Sequence, residues 1–372
     1  MWWLKCVLAV SLAWGVAVSH ATQPMIIDIS DSESECDSVD GPFLFRRRAS
    51  VIASEYLGIY PDEYGRLKRW KFPQIGFDIM HATLVLFGVQ DRNVEVIEWF
   101  CGVGHVVQGC SENSLAALGY DRDRSAQQDM LTDDGFLLAL VLVLSLARFG
   151  TQHFATVCSS WVWMAWDKTG RSIATPMGLS RPSTRRGNLM VTRACILGLI
   201  GLSRKAAYVL EQPSSSLMFN RTRQSQEPFS LFWKIYTWML AFGGLTPKRT
   251  TLQLDQPLFA TALGRKVRRS EFLGTKRRTY THKDADATHT KMRIYGAGKK
   301  LKQTQEYPIG YGRAVGRVAR KWRDYKLATE TECVDSDSDY ELAHADNWPD
   351  AKLGSLLKSL DVQMRAPRRG HF

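Results

Sequence analysis

Val94-Glu95-Val96-Ile97-Glu98-Trp99-Phe100-Cys101-Gly102-Val103-Gly104-His105 is the stretch on which the reading of the fold turns. Its first half is rich in β-branched and aromatic residues, which suit a pleated, half-buried strand. Its second half sets Gly102 and Gly104 at the strand's end. Backbone without a Cβ turns tightly there and lets a ligand come close. The apolar positions that follow, residues 106–118, suit a helix. Strand, glycine turn and helix in that order make the first unit of a parallel sheet.

Working outward, short β-branched runs keep alternating with longer helical segments. Strands are expected at 94–100, 119–123, 153–157, 206–210 and 250–254. Helices are expected at 106–118, 135–149, 188–202 and 228–242, the last rich in aromatic residues. The pattern predicts an α/β fold, a doubly wound sheet with helices on both faces, over residues 93–328. A helical extension is expected at 46–92. A chain of 372 residues with 45% hydrophobic content supports one substantial core with appendages.

The net charge of +12 is uneven. Residues 1–42 carry −5, residues 329–351 carry −8 and residues 352–372 carry +4, which leaves +21 for residues 43–328. A polyanion such as nucleic acid fits that excess, DNA before RNA, and a merely solubilising basic surface is the plainer account. The seven cysteines (Cys6, Cys36, Cys101, Cys110, Cys158, Cys195 and Cys333) form no CxxC pair. Neither a disulfide framework nor a metal site is expected.

In open α/β sheets ligands bind beyond the carboxyl ends of the strands. Four loops there carry the candidate chemistry. Glu98, Phe100, Gly102 and Gly104 form the first, and Gly119-Tyr120-Asp121-Arg122-Asp123 the second, about twenty residues on. An acid at that spacing suits ribose hydroxyls, so Asp121 is the candidate, with Asp123 and Asp129 as substitutes. A dinucleotide fingerprint asks for a third glycine at Val107, which disfavours a nicotinamide cofactor. The third loop is Thr156-Val157-Cys158-Ser159-Ser160-Trp161-Val162-Trp163 and the fourth Leu210-Glu211-Gln212-Pro213-Ser214-Ser215-Ser216.

Taken in order, these loops resemble those of the DNA cytosine-5 methyltransferases, which are class I S-adenosylmethionine-dependent enzymes. That family carries an acid-x-Phe-small-Gly-x-Gly loop, an acidic strand end, a Pro-Cys loop and a Glu-Asn-Val loop. Gly312-Arg313-Ala314-Val315 looks like its later Gly-Asn-Ala-Val. Thr246-Pro247-Lys248-Arg249-Thr250, with the Cys158 and Glu211 loops, resembles a divergent group of methyltransferase-like proteins of dinoflagellates and related algae. The resemblance spans residues 94–320. It implies a Rossmann-like methyltransferase sheet, S-adenosyl-L-methionine as cofactor, Cys158 as the nucleophile that adds to carbon 6 of cytosine, and Glu211 as the acid that meets ring nitrogen 3. It implies cofactor contacts from Glu98, Phe100, Gly102, Gly104, Asp121, Asp123 and Asp129. Trp161 and Trp163 are candidate stacking surfaces for an extruded base.

The departures are as specific. Val157 stands for the proline, Ser159 follows the cysteine, and Gln212-Pro213 replaces Asn-Val. No Gln-x-Arg-x-Arg element is present to assist the thiolate. The region between Gln253 and Tyr307 is short for a target-recognition domain, though strongly basic. A catalytically degenerate nucleic-acid-binding protein and a methyltransferase of another specificity both remain open. Taken singly, Cys158 also reads as a small buried hydrophobe, Glu211 as a cap, Asp129 as a helix-start acid, and the tryptophans as core.

At the amino end, residues 1–24 read as a secretory leader or, with Met25 as the start, as no part of the protein. Residues 25–35, Met25-Ile26-Ile27-Asp28-Ile29-Ser30 followed by an acidic Ser-rich tract, resemble a SUMO-interacting motif, which points to the nucleus. A working leader points instead to the secretory pathway. The acidic segments at 25–45 and 329–372 are expected not to fold by themselves, and no stable membrane insertion is expected.

Overall fold

The computed structural model describes residues 61–72, 74–87, 93–220, 224, 226–244, 248–267 and 306–334. The leader, the SUMO-like motif, most of the basic stretch after Gln253 and the tail beyond residue 334 lie outside the described residues.

Helices α1 (Pro61–Arg69) and α2 (Gln74–Phe87) precede the sheet. They are followed by β1 (Val94–Trp99), α3 (His105–Ser111), β2 (Ala117–Tyr120), α4 (Asp133–Leu144), β3 (Leu146–Phe154), the single turn α5 (Trp166–Thr169), α6 (Pro182–Ser203) and β4 (Ala207–Pro213). The chain continues through β5 (Trp233–Trp238), β6 (Arg249–Leu254), α7 (Pro257–Leu263) and α8 (Ile309–Val334). The six strands lie in the order β2-β1-β3-β4-β6-β5. The first four are mutually parallel, and β6 runs antiparallel to both β4 and β5. The fold is mixed α/β with a mostly parallel sheet.

Both faces of the sheet are covered. On one, Val96, Val209, Leu252 and Leu254 pack against Val106 and Cys110 of α3, Phe259 of α7, and Tyr311, Val315 and Trp322 of α8. On the other, the Tyr120 hydroxyl donates to Gly135 O in α4, while Gly198 of α6 leaves room for the Tyr208 ring. Helix α4 starts where Thr132 accepts from Gly135 N at 3.1 Å, with Asp133 and Asp134 facing the positive end of the helix dipole. Helix α6 starts with Pro182, whose missing N–H costs nothing in a first turn. No helix among the described residues is long and apolar enough to cross a membrane.

Several expected boundaries shift, and one element changes type. The helix expected at 135–149 ends at Leu144, and β3 begins at Leu146 and runs to Phe154. Leu146, Ala147 and Phe149 at the start of β3 are buried and continue the apolar run of α4, so sequence periodicity does not mark the change from helix to strand. The helix expected at 228–242 is instead β5 between two 3-10 turns. Ile235 and Thr237 are buried while Lys234 and Tyr236 are exposed, the period of two that an edge strand shows. Helix α8 continues to Val334, into the segment expected to be a tail. Glu330 holds it there, accepting from Arg148 Nη2 and from Lys205 Nζ, both at 2.8 Å.

Candidate functional site

Strand β1 has β2 on one side and β3 on the other, so chain connections leave it in opposite directions. A crevice opens outside the strand ends at such a switch point. The loop after β1 bends through three left-handed residues, Phe100 (φ 61°), Gly102 (φ 51°) and Gly104 (φ 78°). Two hydrogen bonds tie it to β2, from Phe100 N at 2.7 Å and Cys101 N at 3.2 Å to Tyr120 O. Asp121 is the pin between the two loops. Its Oδ2 accepts from Gly102 N and its Oδ1 from Asp123 N, both at 2.8 Å.

Beneath this loop Glu98 is fully buried, and its Oε2 accepts from Val107 N at 2.9 Å in the first turn of α3. Burial pushes its carboxyl up to about 8 in spite of that bond. Glu98 therefore fastens the loop to the helix from below.

The crevice itself is an open cleft of about 240 Å³. Phe100, Asp121, Gln128, Asp129 and Met130 line one wall. Val157, Ser159 and Ser160 from the loop after β3, with Arg186 and Met190 from α6, line the other. Of the expected cofactor contacts, Phe100, Asp121 and Asp129 face the cleft, while Glu98, Gly102 and Gly104 shape its floor and turn. Asp123 lies outside it, exposed, with Arg122 at 3.9 Å.

Cys158 sits half-buried between two cleft-lining neighbours, Val157 and Ser159. The exit of β4 is locked beside it, because Gln212 Nε2 donates to Thr156 O at 2.6 Å. Glu211, only 4% exposed, accepts from the Tyr307 hydroxyl at 2.8 Å through Oε2 and lies 3.2 Å from Lys248 Nζ through Oε1. Burial pushes the Cys158 thiol up, the Glu211 charge adds to that, and Lys248 works against it. The Glu211 charge thus reaches Cys158, and Glu211 itself is held by two residues that sequence reasoning missed, Tyr307 and Lys248. Behind them His153 is fully buried, bonded through Nε2 to the Tyr311 hydroxyl at 3.0 Å and held neutral by burial, its pKa pulled down to about 3.

Trp161 is fully buried, with the Arg171 guanidinium 3.4 Å from its ring centre, so it offers no stacking face. Trp163 is 62% exposed. Comparisons with protein families, with curated proteins and with solved structures find no match for this chain.

Proposed function

We propose that this chain is an S-adenosylmethionine-dependent methyltransferase of the cytosine-5 type, its sheet the doubly wound, Rossmann-like one of that family. The observation that carries the reading is the cleft at the β1/β3 switch point, lined by Val157 and Ser159, the chain neighbours of Cys158, with the Glu211 charge acting on the thiol.

The residues present suit the cofactor. Phe100, Met130 and Leu131 offer apolar surface for a purine. Asp121 spends one lone pair of each oxygen on Gly102 and Asp123, which leaves acceptor capacity for ribose hydroxyls. Asp129 keeps acceptor capacity beyond its bond from Leu131 N. The cleft volume is below the roughly 300–1,000 Å³ of a typical ligand site, so it would suit the nucleoside part of the cofactor. Bound S-adenosylmethionine supplies an electrophilic methyl group.

The protein's own part is to hold and activate the base. The Cys158 sulfur adds to carbon 6, and the Glu211 carboxyl group meets ring nitrogen 3, where charge enters the ring. A base reaches the thiol only outside a stack, and exposed Trp163 offers a face for it or its neighbour. A second reading, a methyltransferase fold that binds nucleic acid without catalysis, is favoured by one observation. Glu211 is taken up by Lys248 and Tyr307.

Titration calorimetry of the full chain with S-adenosylmethionine separates the two at the first step. Micromolar binding, weakened about tenfold or more in Asp121→Asn, is expected. The asparagine keeps one acceptor oxygen in the loop and removes the charge. Covalent trapping on a 5-fluorocytosine oligonucleotide, lost in Cys158→Ser, is expected next. Cofactor binding without trapping favours another acceptor, and folded protein without cofactor binding ends the enzyme reading.

A further inference from the structure

Helix α6 opens without the groups that settle the start of α4. No side chain caps its first turn, no acid lies in it, and Pro182 brings no N–H, so its leading backbone donors are Ser183 N and Thr184 N. Two exposed cations follow, Arg185 and Arg186. Positive side chains near the positive end of a helix are unfavourable alone, and an anion seated there satisfies both. This helix start opens onto the cleft, because Ser183, Arg186 and Gly187 line it.

The loop after β3 brings a buried donor to the same wall. Ser160 lines the cleft and is only 8% exposed. Its Oγ accepts from Arg171 Nη2 at 3.3 Å, and the buried Arg171 guanidinium also donates to Thr184 O and Pro176 O. A hydroxyl that accepts from a guanidinium turns its own proton elsewhere, and no acceptor for that proton lies among the described residues. Its open side is the cleft. Beside it Trp161 Nε1 is fully buried and has no hydrogen-bond partner among the described residues. These groups converge on Gly187. A Cβ there would collide with Ser160 Oγ and lie 3.2 Å from Arg171 Nη2 and 3.4 Å from Trp161 Nε1.

We infer that this wall of the cleft is a phosphate seat, in which the Ser160 hydroxyl, the Arg186 guanidinium and the uncapped first turn of α6 hold the oxygens of one phosphate group. Ser159 and Ser183, both exposed, stand at its rim. The donors come from a loop, a helix start and a guanidinium, three directions that the tetrahedral oxygens of a phosphate meet and the two coplanar oxygens of a carboxylate do not. No acid lines this wall, since Asp121 and Asp129 belong to the other. The inference rests on the proposed function only in taking the phosphate from a nucleic-acid strand. A free nucleotide presents the same oxygens.

The test is titration calorimetry of the full chain with three probes: deoxycytidine, which lacks a phosphate, deoxycytidine 5′-monophosphate, and a short single-stranded oligodeoxycytidine. A phosphate-bearing probe is expected to bind about tenfold or more tightly than deoxycytidine, and Ser160→Ala and Arg186→Gln each to cut that advantage about tenfold. Circular dichroism checks folding. Should Ser160→Ala not fold, Arg186→Gln, which changes an exposed side chain, carries the test alone. Tighter binding of the monophosphate assigns the seat to a free nucleotide. Tight binding of the oligonucleotide, with the monophosphate no better than deoxycytidine, assigns it to a strand. A phosphate advantage that the folded variants keep, or no advantage in the wild type, overturns the inference. The assay contains no S-adenosylmethionine. A working seat in protein that does not bind the cofactor removes the methyltransferase reading alone, and intact cofactor binding beside unaffected variants removes the seat alone.

Discussion

At the scale of single residues, Glu98 shows how the site is held and at what cost. Its carboxyl is fully buried, takes a hydrogen bond from Val107 N, and leaves Oε1 without a hydrogen-bond partner among the described residues. A buried acid is better off protonated, which is why its pKa rises from 4.5 to about 8. A pKa raised on folding means that the unfolded chain releases the proton first. The stability Glu98 gives is therefore complete below about pH 4.5 and is lost as pH rises toward 8. Each pH unit in that window costs the fold about 1.4 kcal/mol. Glu98→Gln keeps an acceptor for Val107 and removes the titration. Denaturant midpoints between pH 5 and 9 are expected to fall in the wild type and to flatten in the variant, which becomes the more stable of the two at pH 8.5. Parallel slopes would mean that Glu98 is solvated in the folded protein.

At the scale of elements, the long helix α8 reaches the site only because glycine lets it cross α3 in backbone contact. A Cβ on Gly312 would lie 1.9 Å from His105 O, one on Gly316 2.2 Å from Gly109 O, and one on Gly109 2.1 Å from Gly312 C. Backbone cannot give way as a side chain can, so Gly312→Ala is expected to cost roughly 3 kcal/mol or more and to loosen Tyr307 and Tyr311 from Glu211 and His153. Gly65→Ala in α1 has open space around its Cβ and is expected to gain up to about 1 kcal/mol. Thermal unfolding of the two variants checks both signs. The motif Gly312-Arg313-Ala314-Val315 was legible as a marker of the last helix, but its packing role was not. Arg313 points away from the site to Glu112, 2.7 Å away. The placement of Cys158 and Glu211 on adjacent strands was legible for a topological reason. Cys158 follows β3 and Glu211 lies near the carboxyl end of β4, the adjacent parallel strand, so both belong to the same edge of the sheet. Lys248 was not legible, because a residue before a strand belongs to the far edge unless the strand is reversed, and reversal leaves no local mark. The aromatic run in β5 was misread because six residues of alternation inside a tryptophan-rich segment satisfy a helical period almost as well.

At the scale of the whole molecule, charge separates along the chain as the sequence suggests, and the described surface adds a direction to it. Arg185 and Arg186 lie exposed on the first turns of α6, and Arg186 lines the cleft wall opposite Asp121. No hydrogen bond or ion pair to another described side chain engages either guanidinium, in contrast with Arg193 further along α6, which pairs with Asp133. Cations without an ion pair among the described residues, at the wall of a cleft, suit a chain of phosphates passing across it. Each phosphate contact contributes about −0.7 to the slope of log affinity against log salt on a single strand and about −0.9 on a duplex. Arg185→Gln combined with Arg186→Gln is therefore expected to make that slope shallower by roughly 1.4 on single-stranded and 1.8 on duplex oligonucleotides, and to weaken binding alike for all sequences. Fluorescence anisotropy at 50, 100 and 200 mM salt gives both quantities. A slope that stays as steep in the double variant would mean that Arg185 and Arg186 contact no phosphate, and would remove this argument for nucleic acid at the cleft.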